Sequence, residues 1–284
     1  MNDQPIAIFD SGLGGLTVVR EVRRRLPGED IVYFGDTARV PYGSKSPQTV
    51  FRFANEVCQF LLRFDPKLIV AACNTVSAVA LDELEQRTPL PVLGVVRPGA
   101  AEAVRRSRGG PIGVIATEAT VNSHAYSRAI LALAPDVAIV EQACPSLVAV
   151  IEEGRAPQDP VVRMLLMDYL EKVRLLNPEA LVLGCTHYPL IKAAVAAVMG
   201  DHVTLIDSAE ATAREAEKLL AGRAALSDRP AGGRLRCYVS DNPQRFREVG
   251  SRFLGEAIKD VAWITPEQFA IHDHREQPKV QSVA

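Results

Sequence analysis

The chain has 284 residues, of which 48% are hydrophobic and 23% charged, with a formal net charge of −2. This composition is ordinary for a globular protein, and the length suits about two domains of common size. The weak negative charge and scattered Lys and Arg argue against nucleic acid as a main partner, and no apolar stretch approaches the roughly 18 residues of a membrane span.

Apolar runs alternate with amphipathic stretches along the chain, which is the pattern of βαβ units and a largely parallel sheet. In the first series, strands are predicted at residues 6–9, 31–34, 68–72 and 91–95. Helices are predicted between them at residues 15–26, 47–64 and 76–86.

A second series of the same kind follows. Its strands are predicted at residues 111–116, 137–140, 180–183 and 203–206. Its helices are predicted at 122–133, 160–176 and 207–221, with a further segment at 146–153. A loop rich in Gly, Pro, Ala and Arg then leads to a last strand at 235–239.

The two series correspond to each other. Residues 6–11 match residues 112–117 at an offset of 106, close to the 112 positions that separate Cys73 from Cys185. We therefore predict two similar flavodoxin-like α/β domains with mainly parallel sheets, related by a pseudo-twofold axis. The predicted division is residues 1–96 with 209–269, residues 97–208, and a loose tail at 270–284. Chance similarity between two α/β units is the alternative.

Cys73 and Cys185 each follow a short apolar strand and precede a turn with a hydroxyl side chain. Ligands of open α/β sheets bind beyond the carboxyl ends of the strands, so both thiols would face one interdomain cleft. Each precedes a helix N-terminus, where the dipole and free amides would lower the pKa of the thiol. One sulfur would then act as a base while its partner stays protonated, which suits chemistry on both faces of one carbon.

Other roles for the cysteines fit less well. A phosphatase loop needs Arg six residues after Cys, where this chain has Val79 and Ile191, and no C-x-x-C motif is present. The cysteine spacing matches no disulfide framework and no zinc site, so no metal is predicted. A hydrolase that uses Cys185 and His187 remains open from the residues alone. The other three cysteines are predicted to be structural: Cys58, Cys144 and Cys237.

Two turns could hold an anion. The segment DSGLGG at residues 10–15 follows a strand and precedes a helix, but its glycines do not match the dinucleotide fingerprint. Asp10 and Ser11 at the strand tip would point into the cleft. Tyr42 and Gly43, in a turn-rich segment, could offer backbone amides and a hydroxyl to a carboxylate. A purely structural turn is the alternative in both places.

Four segments resemble the glutamate racemase family of cofactor-independent aspartate/glutamate racemases. They are residues 10–15 (DSGLGG), 35–43 (GDTARVPYG), 72–75 (ACNT) and 184–189 (GCTHYP). The resemblance extends from residue 6 to about 210, and GCTHYP is highly specific. Ala119 departs from the glycine that many relatives carry, which can alter the loop but removes no functional group.

The resemblance implies inversion at Cα of free glutamate by two cysteines, without a cofactor or a metal. Cys73 would take the proton from D-glutamate and Cys185 from L-glutamate, assisted by Asp10 and His187. The implied substrate-binding residues are Asp10, Ser11, Tyr42, Gly43, Asn74, Thr75, Thr117, Thr120, Glu152, Thr186 and His187. Domain closure is expected to gate turnover.

The resemblance also implies a bacterial role in supplying D-glutamate for peptidoglycan. The polar residues 1–5 show no secretory signal, so a cytoplasmic protein is expected. A homodimer is expected because the cleft must be held while the domains move, and neither a membrane nor a nucleic acid is expected as a partner. An aspartate or other amino-acid racemase of this fold and a catalytically silent flavodoxin-like binding protein are the alternatives.

Overall fold

Two mainly parallel β-sheets flanked by helices form the protein in this computed structural model, which describes residues 4–270 and 281–282. The strands are β1 (Ile6–Asp10), β2 (Ile31–Gly35), β3 (Leu68–Ala71), β4 (Val92–Gly94), β5 (Ile112–Ala116), β6 (Ile139–Ala143), β7 (Ala180–Gly184), β8 (Thr204–Asp207), β9 (Leu235–Val239), β10 (Val261–Trp263) and β11 (Gln281–Ser282). The first sheet has the order β11-β10-β9-β2-β1-β3-β4 and the second β6-β5-β7-β8. This confirms the predicted fold class.

Helices cover the faces of both sheets. They are α1 (Leu16–Arg25), α2 (Pro47–Leu62), α3 (Asn74–Val79), α4 (Leu81–Arg87), α5 (Val96–Ser107), α6 (Glu118–Asn122), α7 (Ala125–Leu131), α8 (Ser146–Glu152), α9 (Pro160–Tyr169), α10 (Glu171–Leu176), α11 (Lys192–Met199), α12 (Ser208–Gly222), α13 (Pro243–Leu254) and α14 (Pro266–Ala270). A 3-10 turn at Tyr188–Ile191 precedes α11. None of the helices among the described residues combines the length and apolar character needed to cross a bilayer.

The same arrangement of strands occurs in both sheets. β1 lies between β2 and β3, with Ile6 opposite Ile31 and Leu68. β5 lies between β6 and β7 in the same parallel manner. Both central strands are buried along their whole length, as expected for a parallel sheet covered on two faces. Each cysteine of interest therefore follows the equivalent strand of its sheet, β3 or β7.

Several helices differ from the prediction. The predicted helix at 76–86 is two helices separated at Ala80, and that at 160–176 is interrupted at Leu170. α5 was not predicted, although Pro98 lies in its first turn, where no intrahelical amide donor is needed. α13 was also missed, although Asn242 caps it and Pro243 follows at the first helical position.

The two sheets draw their strands from different segments of the chain. The second sheet uses strands from β5 to β8 only, whereas β9 and β10 return to complete the first sheet. The predicted loose tail lies outside the described residues except at two places. Ala270 ends α14, and Gln281–Ser282 pairs antiparallel with β10.

A buried ion pair ties the amino ends of the first sheet together. Lys67, just before β3, places its Nζ 2.5 Å from Glu29 Oε2, and both side chains are almost fully buried. Glu29 also accepts a hydrogen bond from the backbone of Ser227 at 2.7 Å. The charge of Glu29 is thus compensated inside the protein. Removing Lys67 would leave the Glu29 carboxylate as an uncompensated charge in a buried, low-dielectric environment.

We expect Lys67→Met to destabilise the protein by about 3–5 kcal/mol, the usual cost of an uncompensated buried charge. Arg87→Met is the matched control, because Arg87 pairs with Glu83 on the surface, where an ion pair contributes at most about 1 kcal/mol. Thermal unfolding of the three proteins checks this. Equal melting temperatures for Lys67→Met and the wild type would contradict it.

Candidate active site

A cavity of about 130 Å³ lies where the carboxyl ends of the two sheets meet. Both Cys73 and Cys185 line it, one from each sheet, and each is only 6% exposed. The residues that line the cavity are Ser11, Pro41, Tyr42, Gly43, Ser44, Cys73, Asn74, Thr75, Thr117, Glu118, Pro145, Val148, Cys185, Thr186 and His187. The cavity therefore requires both halves of the molecule.

Three predicted site residues do not line this cavity but support residues that do. Thr120 is buried and lies 3.0 Å from the Thr117 hydroxyl. Glu152 forms a hydrogen bond with His187. Asp10 is buried and interacts electrostatically with His187. In this arrangement the three act from behind the lining residues.

Five lining residues were not among the predicted ones. Pro41, Ser44 and Glu118 directly adjoin predicted positions, so extending each motif by one residue would have found them. Pro145 and Val148 follow β6, the edge strand of the second sheet. Their position at a carboxyl end of a strand was the available signal.

Cys73 lies in an environment that favours the neutral thiol. It precedes α3, and its Sγ donates to Ser11 Oγ at 3.7 Å. Burial of the thiol, together with the negative charge of Asp10, raises the pKa of Cys73 to about 12. The predicted lowering of this pKa is therefore wrong. The dipole of α3, six residues long, does not outweigh the loss of solvent.

Asp10 is itself a buried carboxyl group. Its Oδ2 accepts a hydrogen bond from the Gly12 amide at 2.9 Å, whereas Oδ1 is buried without a hydrogen-bond partner. Burial raises the pKa of Asp10, and the nearby His187 opposes that rise. A positively charged group brought to this place would therefore be attracted to the Asp10 carboxylate.

A chain of polar contacts extends from Cys185 into the other half of the molecule. His187 Nδ1 lies 3.8 Å from Cys185 Sγ, and His187 Nε2 lies 2.9 Å from Glu152 Oε1. Arg245 on α13 pairs with the other Glu152 oxygen at 3.6 Å. The Phe253 ring packs edge-on against the imidazole, with ring centroids 5.0 Å apart.

These contacts favour the protonated, positively charged form of the His187 imidazole. Burial alone would favour neutral histidine, but the hydrogen bonds to Cys185 and Glu152 raise the pKa of His187 to about 10. The hydrogen bond from His187 and the charge of Arg245 in turn hold the pKa of Glu152 below its usual range, despite burial. His187 is therefore an imidazolium near neutral pH and can donate a hydrogen bond to a thiolate.

The glycine-rich turn serves close packing between the halves. A Cβ at Gly14 would collide with Thr186 Oγ1 and lie 2.5 Å from His187 Nδ1. Thr17, on α1, donates its hydroxyl to the Thr186 carbonyl at 3.1 Å. The turn thus allows α1 to pack directly against the loop after β7.

Hydroxyl groups and backbone form a second contact between the halves. Thr75 Oγ1 lies 3.0 Å from Thr117 Oγ1 across the cavity wall. The Ala119 amide donates to the Gly43 carbonyl at 3.0 Å, so the residue that departs from the family pattern still closes the loop through its backbone. These contacts bring Gly43 and Thr117 to adjacent positions at the cavity.

The Tyr42 hydroxyl is not free to bind a ligand. It donates to Asp36, whose other carboxylate oxygen accepts from Ser240 Oγ at 2.8 Å. The proton of this hydroxyl is therefore used in the bond to Asp36, whereas Tyr42 and Gly43 both line the cavity. No cluster of three or more potential metal ligands occurs among the described residues.

Comparisons with known proteins show the family of the chain. A model of the Asp/Glu/hydantoin racemase family matches residues 16–216. The glutamate racemase of Geobacter metallireducens is 47% identical, covering 92% of this chain and 97% of that protein. A Syntrophus aciditrophicus glutamate racemase is 48% identical, over 90% of this chain and 95% of that protein.

Solved structures give the same result. Glutamate racemase from Francisella tularensis in complex with D-glutamate is 37% identical, with a TM-score of 0.87 over 93% of this chain and 98% of that chain. The Thermus thermophilus enzyme, in complex with β-chloro-D-alanine, is 44% identical, with a TM-score of 0.84 over 94% and 98% of the two chains. With one cysteine from each sheet at a shared cavity, the chain belongs to the glutamate racemase family.

Proposed function

We propose that the protein interconverts L- and D-glutamate by removing the Cα proton with one cysteine and returning a proton with the other. The observation that carries this proposal is the placement of Cys73 and Cys185 on one cavity, each contributed by a different sheet. Glutamate is the proposed substrate because the relatives are glutamate racemases and the Francisella tularensis enzyme was solved with D-glutamate.

The two cysteines have different surroundings, which supports different roles for them. The raised pKa of Cys73 favours its neutral thiol, which can donate a proton. The Cys185 sulfur lies 3.8 Å from Nδ1 of the charged His187. This state is suited to L-glutamate, from which Cys185 would take the proton while Cys73 supplies one to the opposite face.

The reverse direction requires Cys73 to become the base. A substrate brings its own ammonium group into the cavity, and that charge favours both the Asp10 carboxylate and a Cys73 thiolate. Ser11 and the Val76 amide also hydrogen-bond the Cys73 sulfur and favour its anion. Asp10 would thus assist Cys73 as His187 assists Cys185.

Removing a Cα proton is difficult because the resulting carbanion is unstable in water. The cavity supplies fixed donors instead, including the hydroxyls of Ser11 and Thr75 and the amide of Asn74. Both halves must meet to form it, so closure of the halves would exclude water and gate turnover. Thr117, Thr186 and Gly43 complete the proposed binding surface.

The proposed role in the cell is to supply D-glutamate for peptidoglycan, which family membership supports. All five cysteines are unpaired in the structure, in keeping with a reducing cytoplasm as the proposed location. A homodimer is proposed because a two-domain racemase must keep its cleft in place while its domains move. An aspartate racemase of the same fold stays a competing proposal, separated by the experiment below.

We expect Cys73→Ser and Cys185→Ser each to reduce racemisation by at least about 10²- to 10⁴-fold, the usual contribution of a general acid or base. Proton NMR in D2O follows loss of the Cα proton, and polarimetry follows inversion, with L-glutamate and L-aspartate as substrates. Cys58→Ser is the control, because Cys58 is buried in α2 away from the cavity.

Two results would contradict the proposal. Near-normal racemisation in either variant would remove that cysteine from the two-base mechanism. Exchange by the wild type with aspartate but not glutamate would keep the mechanism and replace the substrate.

We expect Glu152→Gln to lower the pKa of His187 from about 10, because the Glu152 carboxylate favours the imidazolium. Nitrogen-detected NMR titration of the histidine rings measures this, with His187→Asn used to assign the signal. A histidine whose pKa is raised on folding stabilises the protein fully below its unfolded pKa, about 6.5, and loses that contribution as pH rises through 10.

The stability difference between wild type and Glu152→Gln should therefore be largest near pH 6 and shrink toward pH 10. Thermal unfolding across this range tests the sign. A difference independent of pH, with an unshifted His187 signal, would show that Glu152 does not charge the imidazole.

A further inference from the structure

Asn74 carries an unpaired donor in the wall of the cavity. Its Nδ2 is buried and has no hydrogen-bond partner, and the residue is only 3% exposed. Asn74 lines the cavity next to Cys73. A buried amide donor without a partner is unfavourable, so an acceptor oxygen entering the cavity would be bound by relieving that cost.

The other end of the same amide is held from the second half of the molecule. The Tyr126 hydroxyl, on α7, donates to Asn74 Oδ1 at 2.7 Å. Tyr126 is 1% exposed, and the Ser208 side chain lies beside its hydroxyl.

Tight packing keeps the tyrosine in place. A Cβ added at Gly99, on α5, would lie 3.3 Å from the Tyr126 hydroxyl oxygen and 3.2 Å from Ser208 Cβ. The hydroxyl thus has little room to move away from Asn74. Because Oδ1 is held by Tyr126, the amide is fixed in the orientation that leaves Nδ2 as the free donor.

We propose that Tyr126 is a positioning residue that aims the Asn74 amide donor at a carboxylate oxygen of the substrate. This inference rests on the proposed function, since it takes the ligand to be an amino acid. Tyr126 lies between β5 and β6 in the second half, whereas Asn74 follows β3 in the first. The hydrogen bond therefore makes the orientation of the donor depend on contact between the halves.

The test is Tyr126→Phe, which keeps the ring and removes the hydroxyl. We expect KM for L- and D-glutamate to rise about tenfold, the effect of losing about 1.4 kcal/mol of hydrogen bonding to a charged group. We expect kcat to change by less than about threefold, because neither cysteine is touched. A purely structural role would lower the melting temperature without this split between KM and kcat.

Tyr188→Phe is the matched control. Tyr188 is also fully buried, but its hydroxyl donates to a backbone group, the Cys144 carbonyl, at 3.0 Å. It should lose thermal stability with KM unchanged. An equal rise of KM in both variants would show a general effect of lost buried hydroxyls and overturn the proposal.

A double-mutant cycle with Asn74→Ala completes the test. Once Asn74 has no amide, Tyr126→Phe should raise KM no further, because the tyrosine acts only through that amide. Additive effects of the two substitutions, or an unchanged KM in Tyr126→Phe, would overturn the proposal.

Calorimetric binding of glutamate separates this inference from the proposed function. If the wild type binds glutamate but does not racemise it, the proposed function fails. The double-mutant cycle, measured with dissociation constants in place of KM, then still decides the role of Tyr126. If the wild type neither binds nor racemises glutamate, both are overturned.

Discussion

The close approach of the two sheet edges is the constraint on which the site depends. Neither half holds the cavity alone, because Cys73 belongs to one sheet and Cys185 to the other. Gly14 removes the side chain that would keep α1 away from the loop after β7, and backbone contact at Gly43 closes the opposite wall. Packing between the halves, more than any single side chain, thus determines how far apart the two sulfurs lie.

Burial then decides the charge of each group in that gap. Loss of solvent raises the pKa of both Cys73 and Asp10, whereas His187 is charged because two partners outweigh the same loss of solvent. The site consequently rests in an asymmetric state, with a neutral thiol on one side and an imidazolium on the other. A two-base mechanism needs such a difference, since one group must donate while the other accepts.

Much of the fold and the positions of the cysteines could be predicted because they depend on local sequence. Buried strands are continuous apolar runs, and a residue directly after such a strand lies at the binding edge of the sheet. The pKa of Cys73 could not be predicted in this way, because it depends on how completely the rest of the chain excludes water. Two hydrogen bonds depend on packing in the same way: the one from the Tyr42 hydroxyl to Asp36 and the one from Tyr126 to Asn74. Tyr126 and Asn74, for example, are 52 positions apart in the sequence.

The order of the strands also has a consequence for synthesis on the ribosome. β2 pairs with β9, so this part of the first sheet cannot form until the chain has been made beyond residue 239. By then the second sheet, which ends with β8 at Asp207, has already emerged and can fold as a unit. Ser240 directly follows β9; its hydroxyl accepts a hydrogen bond from the Ala38 amide and donates one to Asp36. The cavity-lining loop around Tyr42 is therefore fixed only after most of the polypeptide has been translated.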